Sequence, residues 1–354
     1  MIRYAVIGAG WIAQEAFLPG VPATGNSRVQ ALVSGHPRAR ELADFHAIPE
    51  VLGYGDYDAL VASDRIDAVY IALPNSMHAD YAIRALRAGK HVLVEKPLAT
   101  TLEESRAMIA AAEASGRFLM TAYRLHNEPG TLAALEAIRA GKIGQPVHFT
   151  SAFGFQSAIG NHRLQASYWG GPLQDIGVYC LNAARHVFGA EPLAVQAMAS
   201  RPPQDPRFTE IDAHVAVTLR FPQGLAQFFC SFGTEGVEYC RVLGTQGELI
   251  LDPAFRFENA MSLRLRQGDR VTVTDFPAVD HFAGQLAYFS DCIAAGTAPE
   301  ADGAEGLADM VALLAIEEAI RTGATVALDL PPRPRHPDAT MERRFAPTTH
   351  RLLL

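Results

Sequence analysis

Val6-Ile7-Gly8-Ala9-Gly10-Trp11-Ile12-Ala13 is the stretch whose reading decides the fold. An apolar run over residues 4–7 breaks into Gly-x-Gly-x-x-Ala, and a helical pattern follows. Glycine at the first position allows a tight turn, and at the second it lets backbone approach a pyrophosphate. A small third residue lets the new helix pack close to the strand. The N–H groups and dipole at that helix start favour an anion. Gly8, Gly10, Trp11 and Ile12 are therefore candidate dinucleotide contacts.

Further out, apolar runs at 29–33, 68–73, 91–94 and 118–122 read as buried parallel strands. Helical patterns separate them, clearest at 76–88, closed by Gly89, and at 102–115, closed by Gly116. This alternation predicts an α/β fold with a doubly wound parallel sheet over residues 1–122. Beyond Tyr123 the pattern changes. A helix at 129–140, a strand at 146–155 and a helix at 173–188 precede β-rich runs at 193–198, 214–221, 226–232, 238–243, 248–251 and 263–265. They predict a mostly antiparallel sheet in a second domain, 123–330. Late helices at 282–295 and 305–322 pack on that sheet or return to the first domain. Residues 331–354, rich in Pro and Arg, read as a mobile tail or an arm across a partner subunit.

The chain has 354 residues, 49% apolar and 19% charged, enough for two cores. A net charge of -8 argues against nucleic-acid and anionic-membrane partners. It does not argue against an anionic cofactor held by local groups. Cys180, Cys230, Cys240 and Cys292 form no C-x-x-C pair. With a first strand that begins at Arg3, they are expected to be reduced thiols of a cytoplasmic protein. The twelve histidines form no His-x-x-x-His and no Cys-paired ligand spacing, so no catalytic metal is expected.

The second strand ends in Ser34-Gly35-His36-Pro37-Arg38 where NAD-preferring proteins carry an acid. A hydroxyl with a nearby guanidinium suits a 2′-phosphate, so Ser34 and Arg38 point to NADP. Leu73, Asn75 and His78 follow another strand and can line the nicotinamide end. Val92-Leu93-Val94-Glu95-Lys96-Pro97 delivers Glu95 and Lys96 to the carboxyl end of a buried strand, where open α/β sheets bind ligands. Asp175 and Tyr179 stand at i and i+4 of a helix and so share a face.

Together these residues resemble the glucose–fructose oxidoreductase/inositol dehydrogenase/MocA (Gfo/Idh/MocA) family over nearly the whole chain. The likeness rests on Gly8-x-Gly10-x-x-Ala13, Pro74-Asn75-x-x-His78, Glu95-Lys96-Pro97, Tyr123-Arg124 and Gly-Gly-x-x-x-Asp175-x-x-x-Tyr179. Tyrosine at 179, where many members carry histidine, is similar to the tyrosine-bearing branch, and the motifs are closest to glucose–fructose oxidoreductase. The resemblance implies a Rossmann domain followed by an α/β domain with a large open sheet, used to form a homodimer or homotetramer. It implies NADP and a sugar substrate, with Lys96, Tyr179 and Asp175 catalytic or substrate-binding. Arg124 and Arg163 are further cofactor candidates and Asn182 a further substrate candidate. In this reading Tyr179 takes the proton from the anomeric hydroxyl of an aldose while hydride leaves C1, giving a lactone. A trans-dihydrodiol dehydrogenase and a non-catalytic NADP-binding regulator are the alternatives.

Overall fold

A computed structural model describes residues 1–257 and 259–354. Its backbone groups into two compact units that are not contiguous in sequence. One comprises Met1–Glu128, Val279–Leu307 and Arg343–Leu354; the other comprises Pro129–Ala278 and Ala308–Glu342.

The first unit is built on six parallel strands among the described residues: β1 (Ile2–Ile7), β2 (Ser27–Val33), β3 (Glu50–Leu52), β4 (Ala68–Ile71), β5 (His91–Val94) and β6 (Leu119–Thr121). Their order, β3-β2-β1-β4-β5-β6, is doubly wound and reverses between β1 and β4. The runs of β4 and β5 are completely buried because helices cover both faces of such a sheet. The helix Leu102–Ser115 matches its expected bounds. Thr101 and Glu104 form a reciprocal capping box at its start, and Gly116 at φ 64° ends it. Strand β3 escapes sequence reading because three half-buried residues carry no period.

The late helix His281–Ala295 belongs to this unit, one of its two expected placements. Asp280 caps it by accepting from the N–H groups of Phe282 (3.0 Å) and Ala283 (2.9 Å). The Ser290 hydroxyl joins it to Tyr4 Oη (2.8 Å) on β1 and to Ser27 Oγ (2.7 Å) on β2. The end of the chain also lies here: Arg343 N–H donates to Asn127 (3.1 Å), and Phe345 C=O accepts from Asp280 N–H (2.8 Å). Residues 331–354 thus divide between the two units at Arg343, where the sequence reading treats them as one tail.

The second unit carries, among the described residues, a nine-stranded sheet. Its strands are β7 (Pro146–Gln156), β8 (Ala194–Ser200), β9 (His214–Arg220), β10 (Leu225–Ser231), β11 (Gly233–Gly244), β12 (Glu248–Leu251), β13 (Met261–Gln267), β14 (Arg270–Phe276) and β15 (Val326–Ala327). They run β14-β13-β12-β11-β7-β10-β9-β8-β15, antiparallel except for the pair β7–β10. Helices Pro129–Arg139 and Val178–Phe188 pack on it. Edge strand β14 exposes all but its last residue, so its Val271-Thr272-Val273-Thr274 alternation marks no buried face. All four cysteines are buried thiols, and burial pushes Cys180 and Cys240 up to about 12. Among the described residues no helix is long and apolar enough to cross a membrane.

Candidate active site

In the first unit the carboxyl ends of the strands form one edge. Pairing continues a residue past each end: Gly8 N–H to Val33 O (2.9 Å), Ala72 N–H to Ile7 O (2.9 Å), Glu95 N–H to Ile71 O (3.0 Å) and Ala122 N–H to Val94 O (2.8 Å). Gly8, Ser34, Leu73, Glu95, Lys96 and Arg124 therefore follow the ends of β1, β2, β4, β5 and β6 on that edge.

Gly8 has φ +100°, and a Cβ there would stand 2.6 Å from the Ala72 carbonyl oxygen. Only glycine satisfies both conditions, and the resulting cradle fits a pyrophosphate approaching bare backbone. The helix then opens with a widened turn, Ala13–Phe17, of i→i+5 bonding. Beside it Trp11 is 49% exposed, and Ile12 is partly so.

Ser34 is nearly buried and its hydroxyl accepts from His36 N–H (3.0 Å). Arg38 pairs at the surface with Glu41 (2.7 Å), and Arg40 with Asp44 (3.4 Å). Exposed pairs of this kind are weak, so an arriving phosphate can compete for Arg38. Asn75 is partly exposed. His78 is fully buried, with Nδ1 2.9 Å from Pro97 O and Nε2 2.9 Å from Leu73 O. It ties the segment after β4 to the segment after β5, and burial lowers its pKa.

Tyr70 Oη donates to Glu95 Oε1 (2.6 Å), and burial raises the Glu95 pKa against the opposing charges of Lys96 and Arg124. Lys96 is partly buried and precedes a cis peptide to Pro97. Arg124 is buried, with Nη1 3.0 Å from His281 Nδ1. A guanidinium only donates, so Nδ1 accepts and the imidazole proton resides on Nε2. Burial, with Arg124 beside it, holds the His281 pKa far below its usual range. Tyr70 and His281 were missed in the sequence. A tyrosine inside an apolar strand and a histidine at a helix start look like core residues.

In the second unit the helix carrying Tyr179 opens with another i→i+5 turn, Leu173–Gly177, before Val178–Phe188. Asp175 lies in that wide turn, which shifts it from the regular i, i+4 stacking expected of the pair. Gly170 ahead of it is forced, since a Cβ there would meet Arg163 O at 2.3 Å. Asp175 pairs with Arg163 (3.2 Å), with both side chains partly exposed. Trp169 Nε1 (2.9 Å) and Gln174 Nε2 (2.6 Å) both donate to Glu317 Oε1, which clasps the turn from the helix Gly303–Thr322. Burial raises the Glu317 pKa.

Tyr179 is 8% exposed and its ring packs beside Phe153 (centroids 6.0 Å apart) and Phe255 (6.4 Å), which stack on each other at 5.3 Å. Asn182 is buried and donates to Asp309 Oδ2 (2.9 Å). Asp309 also pairs with Arg185 (2.6 Å), which forks onto Glu191 through Nε (2.6 Å) and Nη2 (2.8 Å). Glu317 and Asp309 have no local signal in the sequence, because their partners are more than a hundred residues away.

Two family models match the chain: "Oxidoreductase family, NAD-binding Rossmann fold" over residues 2–123 and "GFO/IDH/MocA C-terminal domain" over residues 131–250. The chain belongs to the Gfo/Idh/MocA family. Among family members, it is 32% identical to the D-xylose 1-dehydrogenase [NADP(+)] of Haloarcula marismortui over 339 residues, 93% of each chain. The crystal structure of aldose-aldose oxidoreductase from Caulobacter crescentus superposes with a TM-score of 0.86 at 34% identity, covering 92% of this chain and 99% of that one. The trans-1,2-dihydrobenzene-1,2-diol dehydrogenase of Mus musculus is 31% identical over 253 residues, 70% of this chain and 73% of its own. The family's two-part plan, a parallel Rossmann sheet and a mostly antiparallel second sheet, agrees with the fold class expected from sequence.

Proposed function

We propose that this chain is an NADP-dependent oxidoreductase that takes a hydride from C1 of an aldose of the glucose or xylose type. One observation carries the reading. The chain keeps the Gly8 cradle, a lysine after β5 and the Asp175–Tyr179 turn, within a family whose similar members include a xylose dehydrogenase named for NADP(+).

When bound, NADP supplies a hydride acceptor at its nicotinamide ring. Gly8 and Gly10 would hold its pyrophosphate, Ser34 and Arg38 its 2′-phosphate, and Leu73, Asn75 and Arg124 its nicotinamide end. Tyr179 Oη takes the proton of the anomeric hydroxyl, and Lys96 Nζ polarises the same oxygen. Asp175, oriented by Arg163, accepts from sugar hydroxyls. Loss of that proton and hydride leaves a lactone. Asn182 acts at one remove, through its bond to Asp309. The open face of the second unit's sheet, where Met198 is 79% exposed, is the proposed contact for a second copy.

Reduced-nicotinamide fluorescence tests this. Glucose or xylose is added to purified protein before any cofactor, and then with NADP or NAD. Signal that requires NADP and grows over many turnovers supports an exchanging dehydrogenase. A stoichiometric signal without added cofactor, reversed by a second sugar, supports retained NADP and sugar-to-sugar transfer. No signal with either sugar, while NADP binds, overturns the aldose assignment. The diol reading then stands, favoured by the phenylalanine pair beside Tyr179 and tested with a trans-dihydrodiol.

Two substitutions test the cofactor assignment. Gly8→Ala places a methyl against the Ala72 carbonyl in a left-handed backbone, and is expected to weaken NADP binding by at least about tenfold in a fluorescence titration. Ser34→Asp sets a carboxylate against the 2′-phosphate. The NADP/NAD ratio of kcat/KM should fall by about tenfold or more, and an unchanged ratio would remove Ser34 from the site.

A further inference from the structure

The glycine-rich turn is braced by a residue outside the fingerprint, Gln14, and Gln14 is in turn held by Leu354. Its side chain is 6% exposed. Nε2 donates to the carbonyl of Ala9, between the two fingerprint glycines, at 2.5 Å. Oε1 accepts from the backbone N–H of Leu354 at 2.7 Å. One orientation of the amide satisfies both bonds, so each fixes the other.

The segment Arg343–Leu354 reaches this point through a series of specific contacts. The Arg343 guanidinium pairs with Asp291 (2.9 Å), and Phe345 accepts from Asp280 at the cap of His281–Ala295. The His350 ring stacks on Phe45 with centroids 4.3 Å apart and planes 12° apart. Arg351 pairs with Glu15. Glu15 stands in the first turn after the fingerprint, where its negative charge opposes an incoming pyrophosphate; Arg351 offsets that charge.

We propose that Gln14 is a positioning residue for the dinucleotide turn, and that Arg343–Leu354 is a strap that holds Gln14 in place and neutralises Glu15. The proposal rests on the reading that Gly8–Gly10 binds NADP. Glycine turns lose much backbone freedom on ordering. A turn whose central carbonyl is already tied loses less of it when the cofactor arrives, and so binds more tightly.

The test is titration of the full chain with NADP, followed by fluorescence, for wild type, Gln14→Ala, Leu354→Pro, Arg351→Ala and the double variant Gln14→Ala/Leu354→Pro. Proline removes the Leu354 donor together with its partly buried side chain, and Leu354→Ala, which keeps the N–H, controls for the side chain and should bind like wild type. Each of the other single variants should raise the Kd for NADP by about 3- to 10-fold, the worth of one hydrogen bond or a partly buried ion pair. The double variant should be no weaker than Gln14→Ala alone, because both changes act on one amide. The Arg351→Ala effect should shrink in high salt.

Leu354→Pro and Arg351→Ala binding like wild type would overturn the strap, even if Gln14→Ala weakens binding. Additive effects in the double variant would overturn the chain of contact through Gln14. The two strap variants change surface groups, so the test survives if Gln14→Ala fails to fold. A wild-type protein that binds no NADP fails at an earlier step and removes the cofactor reading itself.

Discussion

Replacing Tyr179 by phenylalanine is expected to lower kcat for the preferred aldose by roughly 10²–10⁴-fold, the range general acid–base transfer supplies. NADP affinity should stay within about twofold. The ring would remain beside the stacked pair Phe153 and Phe255, so packing is conserved and only the hydroxyl is lost. Lys96→Met should lower the rate in the same way, since methionine keeps the stem but not the ammonium. Stopped-flow measurement of hydride transfer, alongside a direct NADP titration, separates the chemical step from binding. A Tyr179→Phe enzyme that keeps more than about a tenth of wild-type kcat would place the base elsewhere. Equal loss of NADP affinity and rate would make the tyrosine a binding group.

The second large effect concerns stability. Arg185 is 1% exposed and serves two buried carboxylates, Glu191 and Asp309. Arg185→Met leaves these acids without that guanidinium, and breaking such a set costs about 3–5 kcal/mol. Denaturant unfolding should show the midpoint falling with the m-value unchanged. Arg185→Lys keeps one charge but not the fork that meets Glu191 through two nitrogens, so an intermediate loss is expected. A loss below about 1 kcal/mol for Arg185→Met would mean that the acids are satisfied without it. Because Arg185 lies in the helix that carries Tyr179, a destabilised variant should also lose turnover, and it recovers if the cause is local fraying and the temperature is lowered.

Much of the first unit was legible beforehand because its signals are local. Leu102–Ser115 announces itself with a capping box and a closing glycine, and His91–Val94 is an unbroken apolar run. Even so, β3 was too short to carry a period, and the Val-Thr alternation of β14 marks no buried face, because nearly the whole strand is exposed. At the candidate site, Gly8 and Lys96 could be read from strand ends and turn chemistry. The clasp of Glu317 on Trp169 and Gln174 could not, nor could the bond from Tyr70 to Glu95. These contacts join residues whose neighbours in sequence say nothing about them.

By itself, then, the sequence determined a parallel doubly wound sheet with a dinucleotide turn at its first strand, because hydrophobic period, capping and glycine geometry act over a few residues. Only the tertiary structure decided that helix His281–Ala295 and the segment Arg343–Leu354 join that sheet. It also decided that Asn182 donates to Asp309 and that Arg185 joins Asp309 to Glu191. A buried polar group must find a partner, and which distant partner it finds depends on how the chain folds back in space.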